Sequence, residues 1–553
     1  MDYAELHCHS YYSFHDGASS LEELMVRARD LGYRALAVTD HDNLCGAMNF
    51  AQLAKSLELH GVIGAEVTLG TGCSSTLSPV ALRQAQGERE SESRRVGGAQ
   101  RNPPTQMIHG AQRNPPLGAV VRPPDTQPEP EPFHLSLLAK DRKGYGNLCR
   151  LITAAHAAGE RNEPQLPQEL LPQHAEGLIC LSGCRNGELA RLVDAARFED
   201  AERLIRRYLD WFGPENYYVE LQQNLVYGDT ERNRRLASLA KTAGARIVAT
   251  GNVHYHDRAR HRLQDCLVAV KHCASLEESH RERRANSEFY LRSTEELGRL
   301  FRDYPEALAN TVDIAERCTF DLTGDQLYSF PDFKVPAGYT PQTYLETICY
   351  EAAIRRYGSV TAPVRRRLDE EFRLIRKFNL AGFLLMYHEV IKLGRDVMID
   401  LGLSDPALTV EENPPGRGRG SSVALLAGYL IGLSHIDPLQ YSLSLERFLP
   451  DDVMSGPPDI DLDFPRSIRE ELILRTHKKW GWEHAALAGT ISTYQIKGAV
   501  RDLGKALGLP EAEIDQLAKQ SDWGSARKLR AKMERMPNFR DKVDVPVWRD
   551  LIE

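Results

Sequence analysis

The feature that most constrains this chain is an early alternation of strand-like and helix-like segments, because successive strand–helix units fold into a parallel sheet or barrel. Residues 3–9 read as a short strand. Ser20 then opens a helix, with Glu23 three residues on at capping-box spacing. Leu21, Leu24, Met25, Ala28 and Leu31 recur at helical intervals, and Gly32 ends the run. Residues 34–40 have the apolar texture of a buried strand, 47–57 that of a helix and 62–69 that of the next strand. The pattern resumes with strand-like segments at 133–139, 177–184 and 245–255, separated by helical stretches at 144–156 and up to 212. From about residue 285 the texture changes to longer helices such as 365–378; an apolar helix is expected at 423–433, an acidic strand at 459–464 and a helical, basic end.

Residues 73–132 interrupt the alternation. They are rich in Ser, Gly, Arg, Gln and Pro, repeat GAQRNPP at 98–104 and 110–116, and lack apolar periodicity, so a disordered insertion is expected. With 553 residues the chain has room for about three to four domains. Its 42% hydrophobic and 26% charged residues suit globular folding. A net charge of −8 excludes a uniformly basic coat but not a local basic surface. No apolar run is long enough to span a membrane, MDYAELHCHS has no signal-peptide core, and the ten cysteines form no disulfide framework. A cytoplasmic location is therefore expected.

Two constellations carry chemistry. His7 and His9 are two apart, so a strand would point both imidazoles to one face. Asp16 follows in a loop, Asp40 and His41 end the next strand, and Glu66 lies on the one after. His134, Cys184, Asn252 and His254 fall at or near the ends of later strands, where barrels and open sheets build their sites. Imidazole, carboxylate and thiolate together suit zinc or manganese. His15, His60, His109 and His174 read instead as core or surface residues.

In PPDIDLDF, Asp459, Asp461 and Asp463 alternate with Ile460, Leu462 and Phe464, which puts the carboxylates on one strand face. Such a set either blunts an acidic edge strand or holds two Mg²⁺ ions for in-line phosphoryl displacement. GRGRGSS at 416–422 is either a flexible turn or a loop whose backbone N–H groups cradle phosphate. Residues 527–542 hold seven Lys/Arg against two acids, a solvated face or a track for a DNA backbone.

ELHCHSYYSFHDGAS, ALAVTDHDNLCGA and IGAEVTL resemble the polymerase-and-histidinol-phosphatase (PHP) domain of bacterial DNA polymerase III alpha subunits. LAKDRKGYGNLCRLIT, YYVELQQNLVYGDTERNR, VATGNVHYH and NSEFYLR extend the resemblance along 1–72 and 133–553, most closely to the error-prone branch of that family. The resemblance implies an α/β multidomain chain: a barrel-like PHP domain at 1–285, the first part of a polymerase-beta-like palm at 286–490 and an incomplete helical thumb at 491–553. It implies metal ligands His7, His9, Asp16, His41, Glu66, His134, Cys184 and His254. Asn252 stands where the family has an acidic residue, so weak or absent phosphoesterase activity is expected.

By the same resemblance Asp461 and Asp463 are the catalytic pair and Asp459 a supporting residue. Arg419, Gly420, Ser421 and Ser422 meet the incoming triphosphate, and Arg447, Lys497 and Arg501 contact triphosphate or primer. The implied activity is error-prone, damage-induced DNA synthesis on primed template with dNTPs, using Mg²⁺ in the palm and Zn²⁺ or Mn²⁺ in the PHP domain. A sliding clamp and mutagenesis accessory proteins are the implied partners. The chain reads as an N-terminal fragment, inactive alone, whose third catalytic carboxylate lies past Glu553. The alternatives are a replicative alpha subunit, a PHP-type phosphoesterase and a non-catalytic scaffold.

Overall fold

A computed structural model of the chain describes residues 2–70, 132–160, 162–324, 333–445, 448–449, 460–481, 484–521 and 528–553. Arg447, Asp459, His109, Arg527 and residues 73–131 of the expected insertion lie outside these. The chain divides into two compact units, Met1–Gln326 with Thr493–Glu553, and Leu327–Ser492.

The first unit is built on a seven-stranded sheet: β1 (Ala4–Glu5), β2 (Ala35–Val38), β3 (His60–Leu69), β4 (Phe133–Ala139), β5 (Leu178–Leu181), β6 (Tyr217–Gln222) and β7 (Arg246–Thr250), paired in chain order. A parallel bridge between Cys8 and Val253 joins the two ends into a barrel-like ring, with His9 N–H donating to Val253 O (2.7 Å) and Val253 N–H to His7 O (2.9 Å). Glu5 stitches the same seam, accepting from Gly251 N–H (2.9 Å), His7 N–H (2.9 Å) and the Tyr3 hydroxyl (2.8 Å).

Strand periodicity sorts the side chains of this sheet. One face carries Leu36, Ile63, Val67, Leu137, Cys180, Val219 and Ala249, packed under helices such as Leu21–Asp30, Arg142–Ala158 and Phe198–Phe212. The other face carries Val62, Leu138, Ile179, Leu181, Tyr218 and Val248 at one end of the ring, where Ile314, Ala315 and Cys318 close it off. Further along the same faces stand Glu66, Ser136, Glu220 and Thr250, all buried. The inside of the ring thus passes from an apolar end to a polar one.

Several local features differ from the sequence expectation, and β1 is shorter than the strand expected over 3–9. β4 runs antiparallel to both β3 and β5, so the sheet is mixed, and its first residues lie at the rim where the parallel strands end. β6 is a full strand that the sequence reading does not include. The apolar stretch after GRGRGSS forms a 3₁₀ turn, Gly420–Ala424, and a short helix, Leu426–Leu430, instead of one helix over 423–433. The expected capping box is present, with the Ser20 hydroxyl accepting from Glu23 N–H and the Glu23 carboxylate from Ser20 N–H.

Helix Pro305–Arg317 lies against β7 and β1, and the helices of 493–553 pack around Ile514, Leu517, Met533, Phe539 and Trp548. Leu276 N–H donates to Ala506 O (2.8 Å), joining that helical group to the barrel unit. The second unit is helical, with Pro341–Tyr357, Ala362–Lys377 and Ala381–Asp400 around a core containing Leu345, Leu368, Phe372, Leu384 and Leu426. Its one described ladder pairs β8 (Arg417–Arg419) with β9 (Asp461–Asp463), antiparallel.

β3 changes partner midway, pairing with β2 over 60–63 and with β4 over 64–69, and Gly64 sits at the switch. A Cβ there would lie 2.6 Å from Leu137 O and 2.7 Å from Leu138 Cδ2. Gly64→Ala should therefore destabilise the barrel unit by about 1–3 kcal/mol, the usual cost of overpacking. A urea titration followed by barrel tryptophan and tyrosine signals checks this; an unchanged midpoint would contradict it.

Candidate functional site

The polar end of the ring gathers the eight residues that the resemblance implies as metal ligands into one cluster. Glu66 is its centre and is 1% exposed. Glu66 Oε2 lies 3.1 Å from His41 Nε2, 3.3 Å from His134 Nδ1 and 3.6 Å from His9 Nε2, while Oε1 lies 3.3 Å from His7 Nε2. Asp16 Oδ2 is 3.1 Å from His254 Nε2 and 3.5 Å from His41 Nε2, and Cys184 Sγ is 3.6 Å from His134 Nδ1. Asn252 takes part through its backbone; its side-chain oxygen is buried without a hydrogen-bond partner, and its φ of +46° turns the chain at the end of β7. Asp40 stays outside the ligand set, because Ser10 N–H and the Ser10 and Ser13 hydroxyls all donate to it at 2.7 Å.

The tautomers of three histidines follow from their partners. His7 Nδ1–H donates to Glu220 Oε1 (2.7 Å), and His254 Nδ1–H to the Asn252 carbonyl (2.9 Å). The Ser13 hydroxyl donates to Asp40, so it accepts from His9 Nδ1–H (3.1 Å). Each ring therefore turns its Nε2 into the cluster. His7 Nε2, His9 Nε2 and Glu66 Oε1 are buried there without a hydrogen-bond partner. Ligand atoms of His7, His9 and Glu66, of His41, Glu66 and His134, and of His9, His41 and His254 each lie within 4.8 Å of one another. Buried ligand atoms aimed at a common centre, from imidazoles fixed by hydrogen bonds behind them, fit a metal ion.

Charge organises the cluster. Burial opposes the ionised form of Glu66, but His134, His41 and His7 outweigh it and hold the carboxyl well below its usual range. Burial also opposes a charged His7, yet Glu220 and Glu66 on either side raise its pKa well above the ordinary value. His9 lies among other imidazoles; burial, then His254 and His41, lower it. His254 is pushed down to about 4 by burial and by the neighbouring Arg284. Burial pushes the Cys184 thiol up, and Glu66 adds to the rise.

Sequence reasoning missed two members. Glu220 lies behind His7 and also accepts from the Gln222 amide (2.7 Å) and the Thr250 hydroxyl. The signal was available: in YYVELQ, Tyr217, Val219 and Leu221 alternate with Tyr218 and Glu220, an acid in a buried strand. Arg284 binds Asp16 (3.0 Å) and contacts His254 Nε2. No local pattern marks it.

In the second unit the other constellation assembles through β8 and β9, which pair Arg417 with Asp463 and Arg419 with Asp461. Asp461 and Asp463 share one strand face, while Ile460 is buried and Leu462 and Phe464 pack on the core. Arg419 Nε lies 2.8 Å from Asp463 Oδ2, and Arg417 Nε 3.8 Å from it. Gly420, at φ +70°, turns the chain into the 3₁₀ segment that contains Ser421 and Ser422. The Ser422 hydroxyl is spent on Arg419 O (2.8 Å). The N–H groups of Leu426 and Ala427 donate to Glu371 at 2.8 Å each, so a buried protein carboxylate occupies the helix start. Lys497 and Arg501 lie in the first unit on helix Ile496–Ala506, with Arg501 Nε 3.2 Å from Asp515 Oδ1.

The barrel and its ligand cluster define a PHP-type domain: residues 5–224 match the PHP domain family. Residues 343–546 match the family described as the bacterial DNA polymerase III alpha NTPase domain. The chain thus carries a PHP domain and a bacterial DNA polymerase III alpha domain. It is 33% identical to an error-prone DNA polymerase of Symbiobacterium thermophilum over 98% of this chain and 44% of that protein. It is 35% identical to an error-prone DNA polymerase of Nocardia farcinica over 95% and 44%, and 30% identical to a DNA polymerase III subunit alpha of Treponema pallidum over 94% and 39%. The chain spans less than half the length of these relatives. Among the described residues no helix is long and apolar enough to cross a membrane.

Two outcomes follow from this geometry. Glu220→Gln removes the anionic acceptor that fixes His7 and should weaken retention of divalent metal about 10- to 100-fold in a competition with a chromogenic chelator. Glu371→Ala leaves Arg367 and two backbone N–H groups of the second unit without their buried acceptor. It should destabilise that unit by about 3–5 kcal/mol in a denaturant titration.

Proposed function

We propose that this chain serves a DNA-directed DNA polymerase of the error-prone type, with nucleotidyl transfer centred on Asp461 and Asp463 and a metal centre in the barrel. The observation that carries the reading is the β8–β9 ladder, which brings two same-face carboxylates against the Arg-rich strand of the GRGRGSS loop. Asp461 and Asp463 would hold Mg²⁺, which supplies charge neutralisation at the reacting phosphate. Arg419 and the Gly420–Ser422 turn would bind the triphosphate, with Arg447, and Lys497 and Arg501 would reach triphosphate or primer. Primed DNA and dNTPs are then the substrates, and a sliding clamp and accessory proteins the partners. The error-prone type is supported by relatives that bear that name, alongside others named as polymerase III alpha subunits.

The test is primer extension by a polymerase that contains this chain. Asp461→Asn and Asp463→Asn should each lower the rate about a thousandfold or more, roughly 4 kcal/mol of transition-state stabilisation, because an amide brings no compensating charge. Asp459→Asn should leave a measurable rate. Equal loss from all three would place the catalytic pair elsewhere on the strand.

In the barrel, His7, His9, Asp16, His41, Glu66, His134, Cys184 and His254 would hold Zn²⁺ or Mn²⁺, which supplies Lewis acidity toward a phosphoester. The neutral Asn252 is read as a weak ligand that keeps such hydrolysis low. Elemental analysis should find metal in the purified chain and less of it after joint replacement of His7 and His9 by Ala. Undiminished metal in that variant would remove the assignment. His7 is held toward its protonated form by two carboxylates, so an incoming ion must displace that proton. Retention should therefore fall as pH falls.

A further inference from the structure

We propose that Arg284 stands in for one cation of the barrel cluster, its guanidinium fixed between Asp16 and His254, so that the chain loads fewer divalent ions than its ligand set allows. The inference rests on the metal-centre reading above.

His254 Nδ1 faces the Asn252 carbonyl at 2.9 Å. A carbonyl only accepts, so the proton is on Nδ1 and Nε2 carries a lone pair. That Nε2 lies 3.1 Å from Asp16 Oδ2, which is also an acceptor. Two acceptors this close need a donor or a cation between them. Arg284 supplies both: its Nη2 lies 3.1 and 3.0 Å from the two Asp16 oxygens and contacts His254 Nε2.

The arginine is held there. Its Cζ is 4.9 Å from the centroid of the Phe289 ring, a cation–π contact, and its side chain is 22% exposed. Asp16 Oδ1 is further engaged by the Gln264 amide at 3.1 Å. A guanidinium keeps its charge in a protein. A divalent ion bound to Asp16 and His254 would meet that fixed charge at close range and must expel it. On the same side of the cluster Asn252 contributes no negative charge to favour the ion.

Two ligand groups exclude both partners of Arg284. The group of His7, His9 and Glu66 and the group of His41, Glu66 and His134 include neither Asp16 nor His254. The third group, His9 with His41 and His254, borders the guanidinium. The geometry therefore assigns two open ion positions and one filled by Arg284.

The experiment is metal counting on the full chain reconstituted with Mn²⁺ or Zn²⁺ and freed of excess ion, by plasma mass spectrometry. Arg284→Met keeps the length and apolar contact with Phe289 but removes the charge; it should bind about one more equivalent than the unmodified chain. Arg284→Lys keeps a charge and should bind the unmodified number. No gain in Arg284→Met, or an equal gain in both variants, overturns the proposal. If inorganic phosphate binding drops in Arg284→Met while the ion count stays the same, Arg284 is an anion contact and the proposal falls.

Anomalous scattering from Mn²⁺-soaked crystals of the unmodified chain gives an answer even if a variant fails to fold. A peak between Asp16 and His254 overturns the proposal; peaks only at the other two positions support it. Absence of metal from the unmodified chain and both variants would instead remove the metal-centre reading, and the proposal with it.

Discussion

A buried carboxylate must find positive or hydrogen-bonding partners or give up its charge, and Glu66, at 1% exposure, sits at the centre of the barrel's polar end. Its partners come from β1's extension, from the turn after β2 and from β4, three separate segments. His41 and His134 flank it from the neighbouring strands and His7 from the strand beyond β2, while His254, after β7, joins Asp16 only because the ends of the sheet meet. The Cys8–Val253 bridge and the Glu5 contacts at the seam provide that closure. The apolar end of the ring, with Val62, Leu138, Tyr218 and Val248, supplies the burial that drives the curl. The same strands then carry Glu66, Ser136, Glu220 and Thr250 inward, because side chains two apart share a face. The polar cluster is thus a consequence of strand register, and Gly64 is where that register is set.

Much of this was legible in the chain because it is local. The capping box at Ser20, the apolar runs of β2, β3, β5 and β7 and the ligand-type residues beside them follow from periodicity over a few residues. His7 and His9 were matched by strand spacing, yet β1 ends at Glu5; what keeps both rings inward is the single bridge at Cys8 between them. β4 looked like any other strand, and nothing in its own residues records its reversed direction. That reversal is why His134, at the start of a strand, meets residues that end theirs. Glu220 escaped notice because its strand follows a helix with only a few residues between. Arg284 lies 268 positions from Asp16, and no pattern in sequence records such a contact.

In the second unit, alternation in DIDLDF gave the correct faces: Ile460 is buried, and Asp461 and Asp463 share the opposite side. The partner of that strand was not legible. Arg419 and Asp461 are 42 residues apart, and their pairing depends on a core formed by helices that precede both. The phosphate-cradle idea for the helix after GRGRGSS meets a physical limit, since Glu371 already takes the N–H groups of Leu426 and Ala427. What remains for an anion is the Arg-bearing strand and the Gly420 turn. Any triphosphate grip here is carried by side-chain charge more than by a helix terminus.

Both constellations share one electrostatic device. Asp16 is paired with Arg284, and Asp463 with Arg419, so in each unit a carboxylate expected to meet a cation already has one from the chain. Clusters of acids repel in a folding chain, and an arginine on one member relieves that repulsion without any bound ion. The consequence is that ion binding becomes an exchange, whose free energy is the ion's own interaction less that of the arginine it displaces. Where the guanidinium is partly exposed, as for Arg419 at 59%, water takes it over at little cost. Where it is packed against a ring and 22% exposed, as for Arg284, the exchange is resisted. The same pair of residue types can therefore leave one site open to a metal and close part of another, and burial of the arginine decides between them.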